Sequence, residues 1–369
     1  MDNFDDTKSV IPSLPDDTRL TTFPIARNDI WSFYKIAQRA YWVPDEIKMD
    51  DDITHYMKMT PREQLCVRKI LGFFATGDAI VNINLAKRFK QEVRIIEADY
   101  FYDYQIMMEN IHAETYSMQL MSIIPDNATR NELLNSVNLN PAIKMIAAWM
   151  YSTINSDEPL SVRLLRMACV EGLFFSGCFC IIYWFASRNL MPGLAMANLL
   201  IARDEGLHTA FALLLFNLIR DKPEPSVVYK IFSDALEIAQ LFISDMMPEP
   251  MPEMNADKMT DYIKYLIDDL LISINMDTVH KIVDNPMTFM DMLGADERTN
   301  FFEHRSTQYS KVSSLLEKAK KYNVVSNANT ITFANRINSA ANPQADAATT
   351  SAIKTAEETV NNALFTDDF

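Results

Sequence analysis

Glycine is scarce in this chain, with 7 in 369 residues. A β-rich protein of this length needs many tight turns, which glycine serves best, so the count argues against one. Cysteine is sparse too. Cys66, Cys169, Cys178 and Cys180 form no CxxC pair and lie in apolar, helix-like runs. In so long a chain they read as reduced, buried thiols, which sets the expectation of a cytoplasmic protein. Basic residues are outnumbered, 34 Lys and Arg against 49 Asp and Glu, for a net charge of −15. The chain therefore lacks the basic footprint that binding to nucleic acid or to an anionic membrane needs. The first residues, MDNFDDTKSV, are acidic and polar and show no signal-peptide pattern. The most apolar run, 173–186, is shorter than the roughly 20 residues of a membrane span. It also follows Glu171, so a buried core helix is expected there.

Methionine (22), leucine, isoleucine and alanine are abundant and favour helices. The expected fold class is all-α. Residues 1–25, with Pro12, Pro15 and several Asp, read as a flexible arm, and 26–322 as one helical domain. Helices are expected over 28–42, from Pro61 to about Phe89, 91–121, 144–155, 160–188, 194–220, 225–246, 257–275 and 297–320. The start at Pro61 has the clearest signal: Thr60 as cap, Pro at the first position and Glu63 at the third. Residues 125–142 read as a variable polar stretch. Residues 323–369, rich in Asn, Ala, Thr and Ser, read as a flexible tail.

Histidine is the most informative scarcity. Of five in the chain, two fall in matched motifs: Glu109-Asn110-Ile111-His112 and Glu205-Gly206-Leu207-His208. Residues three apart on an α-helix share a face, so each motif can hold a metal ion from one helix. Two such helices, with one carboxylate from each of two more, make the pattern of dinuclear carboxylate bundles. Asp78, in FFATGDAIVNINL, and Glu171, in RMACVEGLFFSGCF, supply the two further acids. A single Glu-x-x-His is usually a solvated helix face. Here both copies lie in apolar helices, where unpaired carboxylates are costly to bury. Oxygen-rich sites with one imidazole per ion suit iron or manganese better than zinc.

Tyr116 lies four residues after His112 and seven after Glu109, on the same helix face. A phenol beside oxygen-reactive metals is placed to lose an electron and a proton; otherwise it is a core tyrosine. Phe175, Phe179 and Ile201 are expected to wall it off, or simply to pack the core.

These residues resemble a family, the small, radical-generating subunit of class I ribonucleotide reductase in its eukaryotic and viral form. The matching stretches are FPIARNDIWSFYKIAQRAYW, FFATGDAIVNINLAKRF, FYDYQIMMENIHAETYS, VEGLFFSGCF, LMPGLAMANLLIARDEGLH and TNFFEHR. They run in the family's order over roughly 23–310. The resemblance implies a ferritin-like helical bundle that forms a homodimer. It implies that Asp78, Glu109, His112, Glu171, Glu205 and His208 bind two iron ions, with manganese as the alternative. It implies a stable tyrosyl radical on Tyr116, an electron-relay role for Trp42, and an Asp204 that hydrogen-bonds both a ligand histidine and that tryptophan. The radical would pass to a separate large subunit that reduces ribonucleoside diphosphates to deoxyribonucleotides. The absence of a Gly-rich phosphate loop agrees with that division of labour.

The chain departs from the family's pattern in its long tail. Tyr309 matches the family's relay tyrosine by its distance from NFFEHR, and Tyr322 is the rival. The terminal LFTDDF resembles the peptide that docks on the large subunit. Ile83 stands where the family often has an acid. Two other readings fit the ligand set: an oxidase acting on its own small substrate, and a non-enzymatic iron-binding protein.

Overall fold

The structure, a computed structural model, describes residues 19–289. Among them there is no β-strand, only an isolated bridge between Met251 and Met254. The helices, in chain order, are α1 Asn28–Arg39, α2 Asp52–Lys58, α3 Pro61–Asn84, α4 Lys90–Glu92, α5 Ile96–Ile123, α6 Asn127–Leu134, α7 Ser136–Leu139, α8 Pro141–Asn155, α9 Leu160–Cys169, α10 Ser176–Ser187, α11 Pro192–Leu218, α12 Pro225–Met246 and α13 Ala256–Ser273. The expected helix at 297–320, the tail, LFTDDF, Tyr309 and Tyr322 lie outside the described residues. So do the first 18 residues of the expected arm. Its remainder contacts α5: Arg19 donates to Glu97 at 2.9 Å, and Thr22 and Tyr100 share a 2.7 Å hydrogen bond.

α3 begins as its sequence demands. The Thr60 hydroxyl accepts from the Glu63 N–H, and the Glu63 carboxylate accepts from the Thr60 N–H at 2.8 Å. Two of the helix's orphan donors are thereby satisfied. The expected run to Phe89 is continuous, but Leu85–Phe89 is wound as a π-helix. The next helix starts at Ile96, later than the expected 91. The expected polar stretch at 125–142 is mostly helical. Asp126 caps α6 by accepting from the Thr129 N–H at 2.7 Å, and α7 follows. Asn140 then caps α8 through the Ala142 and Ile143 N–H groups, with Pro141 in the first turn. Asp126 and Asn140, both within the expected polar stretch, are helix caps, and the Pro that follows Asn140 suits a first helical position.

Residues 160–187 form one continuous helical rod that changes to π-helix over Val170–Phe175. It is long and apolar enough to cross a membrane, but 89% of its most apolar window is buried within the protein. Its apolar faces therefore pack on neighbouring helices, as a core helix requires.

The start of α11 is held from a distance. Met191 is left-handed (φ 56°), Pro192 opens the first turn, and buried Asp52 of α2 accepts from the Gly193 and Leu194 N–H groups at 3.0 and 2.6 Å. A carboxylate there satisfies orphan donors and opposes the positive end of the helix dipole. A Cβ on residue 193 would lie 2.5 Å from the Lys48 carbonyl oxygen, so only glycine fits. α5 packs against α3, α1 and α11, and α11 packs against α9, α10 and the π-helical turn. α3, α5, the long rod and α11 thus surround a common interior.

Candidate metal centre

The four surrounding helices each send acid into that interior. Asp78 comes from α3, Glu109 and His112 from α5, Glu171 from the π-helical turn, and Glu205 and His208 from α11. All six are buried. The structure brings together every metal-ligand candidate the sequence offers. Their ligand atoms fall into two groups within 4.8 Å: Asp78, Glu109 and His112, and Glu109, Glu171, Glu205 and His208. Glu109 belongs to both.

The two Glu-x-x-His motifs interlock. His112 Nδ1 lies 3.4 Å from Glu109 Oε2 and 3.1 Å from Glu205 Oε1. His208 Nδ1 lies 3.1 Å from Glu109 Oε1 and 3.5 Å from Glu205 Oε2. None of these approaches has hydrogen-bond geometry. Both oxygens of Asp78, Glu109 and Glu205, Oε2 of Glu171, and Nδ1 of both histidines have no hydrogen-bond partner. Buried polar atoms are rarely left so. Lone pairs that converge without donors between them fit cations, and the set fits two.

Without cations, the electrostatics are strained. Burial, then repulsion from Glu109 and Glu205, pushes Asp78 well above the usual carboxylate range. Burial does the same to Glu171. Burial also pushes Glu109 up, but the two imidazoles outweigh it and pull it down to about 2. For His112, burial favours the neutral ring, yet Asp204, Glu109 and Glu205 together raise its pKa well above the ordinary value. One site thus holds acids driven in opposite directions, a common property of functional centres.

Around the ligands stand supporting groups. His112 Nε2 lies 3.3 Å from Asp204 Oδ2, and the same oxygen accepts from the Trp42 indole N–H at 2.7 Å. The Trp42 and His112 rings stack at 5.9 Å and 18°. Asp204 is held in turn by Arg203, which also donates to the Ala40 carbonyl. A carboxylate on the far nitrogen fixes the ring so that Nδ1 faces the centre.

Tyr116 is buried, its hydroxyl has no partner, and burial followed by the charges of Asp78, Glu205 and Glu109 raises its pKa well above 10. It sits beside the centre, as its helical spacing predicts. Its closest ring neighbour is Phe74, stacked at 4.2 Å and 15°. Phe175 and Phe179 form the next layer, 5.8 and 5.7 Å from Phe74. Sequence reasoning placed those two but missed Phe74, although it lies one turn before Asp78 on α3. It also missed Gln105, whose amide N–H donates to Glu171 Oε1 at 3.0 Å. The signal was its place one turn before Glu109 on the same helix face.

The chain is similar to known proteins. The family model described as "Ribonucleotide reductase, small chain" matches residues 19–286. A ribonucleoside-diphosphate reductase small chain of Nicotiana tabacum is 41% identical over 304 residues, covering 82% of this chain and 92% of that one. The corresponding small chain of vaccinia virus (strain Ankara) is 37% identical over 310 residues, 84% of this chain and 97% of that one. Among solved structures, the ribonucleotide reductase Rnr4 homodimer of Saccharomyces cerevisiae matches with a TM-score of 0.67 at 32% identity, covering 72% of this chain and 85% of that one. The chain belongs to the ribonucleotide reductase small-chain family.

Proposed function

We propose that this small chain generates and holds a tyrosyl radical on Tyr116 and passes it to a large catalytic subunit for reduction of ribonucleoside diphosphates. One observation carries the reading: the unpartnered ligand atoms of six buried side chains converge on the Tyr116 side of the bundle. Asp78, Glu109, His112, Glu171, Glu205 and His208 would hold two iron ions, or two of manganese. Bound there, such ions would supply the oxidising power of O₂ to a neighbouring phenol.

The chain's own residues do the rest. Glu109 and Glu205 each approach both imidazoles, so their carboxylates would help hold the ions in place. Tyr116 would give up one electron and its hydroxyl proton. Both would go to the reduction of O₂ to water, and Asp78 is the acid whose charge acts most strongly on the phenol. Phe74, Phe175 and Phe179 exclude water and reductants from the oxidised ring. Trp42, Asp204 and His112 form a contiguous set of contacts leading away from the centre, a route along which the radical would pass. Tyr309 or Tyr322 would continue it, and LFTDDF would dock on the large subunit. A homodimer is the expected assembly, the state named for the yeast relative. The four cysteines are free and buried, which suits a reducing cytoplasm.

The test is electron paramagnetic resonance after Fe²⁺ and O₂ are added, followed by nucleotide reduction with a large subunit. A phenoxyl signal that is consumed when turnover is blocked by a mechanism-based inhibitor supports the reading. Turnover without any phenoxyl signal would overturn it.

A further inference from the structure

Of the four carboxylates in the centre, three have both oxygens unpartnered. Glu171 differs. Its Oε1 accepts from the Gln105 side-chain N–H at 3.0 Å, and only Oε2 is free. Gln105 is itself enclosed, at 2% exposure, so the bond lies away from bulk solvent. It sits on α5 one turn before Glu109, while Glu171 sits in the π-helical turn. The bond therefore ties two ligand-bearing helices together at the ligand itself.

The chemistry of the donor matters. An arginine or lysine here would pair with Glu171 as an ion and compete with a metal for its charge. An amide is neutral. It can fix one oxygen while leaving the negative charge for a cation. Its other oxygen, Oε2, has no hydrogen-bond partner, and the Glu171 carboxylate offers an oxygen within 4.8 Å of the ligand atoms of Glu109, Glu205 and His208.

We infer that Gln105 is a positioning residue: it anchors Glu171 through Oε1, so that Oε2 alone is offered to the divalent metal ion beside His208. This rests on the reading of Glu171 as a metal ligand. Removing the anchor frees the carboxylate to rotate and weakens binding of that one ion, leaving the other to Asp78, Glu109 and His112.

The experiment is a Mn²⁺ titration of the full-length, metal-free protein followed by electron paramagnetic resonance, with wild type, Gln105→Met and Gln105→Glu in parallel. Wild type should take two ions per chain and show an exchange-coupled spectrum. Both variants should bind the second ion roughly 10–100-fold more weakly, the usual cost of losing a ligand's outer partner. At two equivalents they should keep the six-line signal of isolated Mn²⁺. A merely structural role would lower the melting temperature of the metal-free protein without changing that spectrum. A folded variant with wild-type affinity and coupling would overturn the inference. If wild type itself binds no Mn²⁺, the failure lies with the metal reading instead. Diffraction from Mn²⁺-loaded wild-type crystals tests the same point without substitution. Glu171 bound through Oε2 with Gln105 still on Oε1 supports it, and Glu171 bound through both oxygens, or Gln105 turned away, overturns it.

Discussion

The Trp42 indole donates to Asp204 Oδ2 at 2.7 Å, joining residues 162 positions apart in the chain. The same oxygen faces His112 Nε2 at 3.3 Å. One carboxylate atom therefore links an aromatic ring just beyond α1 to an imidazole of the candidate metal centre on α5. Replacing Trp42 by Phe removes the donor and keeps most of the packing. Trp42→Phe should still form the Tyr116 radical after Fe²⁺ and O₂, yet lose nucleotide reduction with the large subunit. Full turnover by this variant would exclude Trp42 from the route.

Asp204→Ala should act on the metal rather than on transfer alone. It leaves His112 Nε2 without its acceptor, so the ring loses its fixed orientation. Affinity for the ion nearest His112 should fall about 10–100-fold. Competition with a chromophoric chelator measures it, and an unchanged affinity would refute the role.

Tyr116→Phe should keep both ions and lose the radical. The hydroxyl it removes has no hydrogen-bond partner, so the fold loses little. Elemental analysis should give two metals per chain, while the resonance signal and nucleotide reduction both disappear. Retained turnover would rule out Tyr116 as the radical site.

Glu109→Ala and His208→Ala should lose metal, because Glu109 belongs to both ligand groups and His208 supplies an imidazole to one. Metal also bears on stability. An ion that binds only the folded state adds about 2.7 kcal/mol at a hundredfold excess of free ion over its Kd. Chelation should accordingly lower the melting temperature of wild type by several degrees. It should leave Glu109→Ala unaffected, and a scanning calorimeter reads both.

Glu63 supplies a pH test away from the centre. Burial pushes its carboxyl up, but Arg188 and the Thr60 cap outweigh that and hold it below the usual range. The unfolded chain then takes up this proton before the folded one as pH falls. The stabilisation is complete above the ordinary carboxylate range and is lost as pH falls through the depressed pKa. Glu63→Gln should cost about 0.5–1 kcal/mol at neutral pH. The difference should shrink in acid, and urea melts at several pH values would show it. A cost independent of pH would mean that shape, not charge, makes the contact.

Much of this was legible in the chain. Thr60, Pro61 and Glu63 announce α3 locally, and spacing alone puts Glu109, His112 and Tyr116 on one face. The acids at Asp78 and Glu171 were legible because apolar neighbours made their burial conspicuous. The π-helical windings at Leu85–Phe89 and Val170–Phe175 were not, since an i→i+5 bond is imposed by packing and carries no local composition signal. Long-range capping was hidden for a similar reason. Asp52 is one more surface-type acid until α11 is docked beside it. Gln105 and Phe74 were visible as residues on the right faces, but only the packed helices show which of many such residues touch a ligand or the phenol.

The central claim is the convergence of six side chains on two metal ions beside Tyr116. Anomalous diffraction at the iron edge from crystals of the iron-loaded protein tests it most directly. The account predicts two peaks per chain, one among Asp78, Glu109 and His112 and one among Glu109, Glu171, Glu205 and His208, both on the Tyr116 side of the bundle. A single peak, or iron bound elsewhere with these six side chains unliganded, would contradict it.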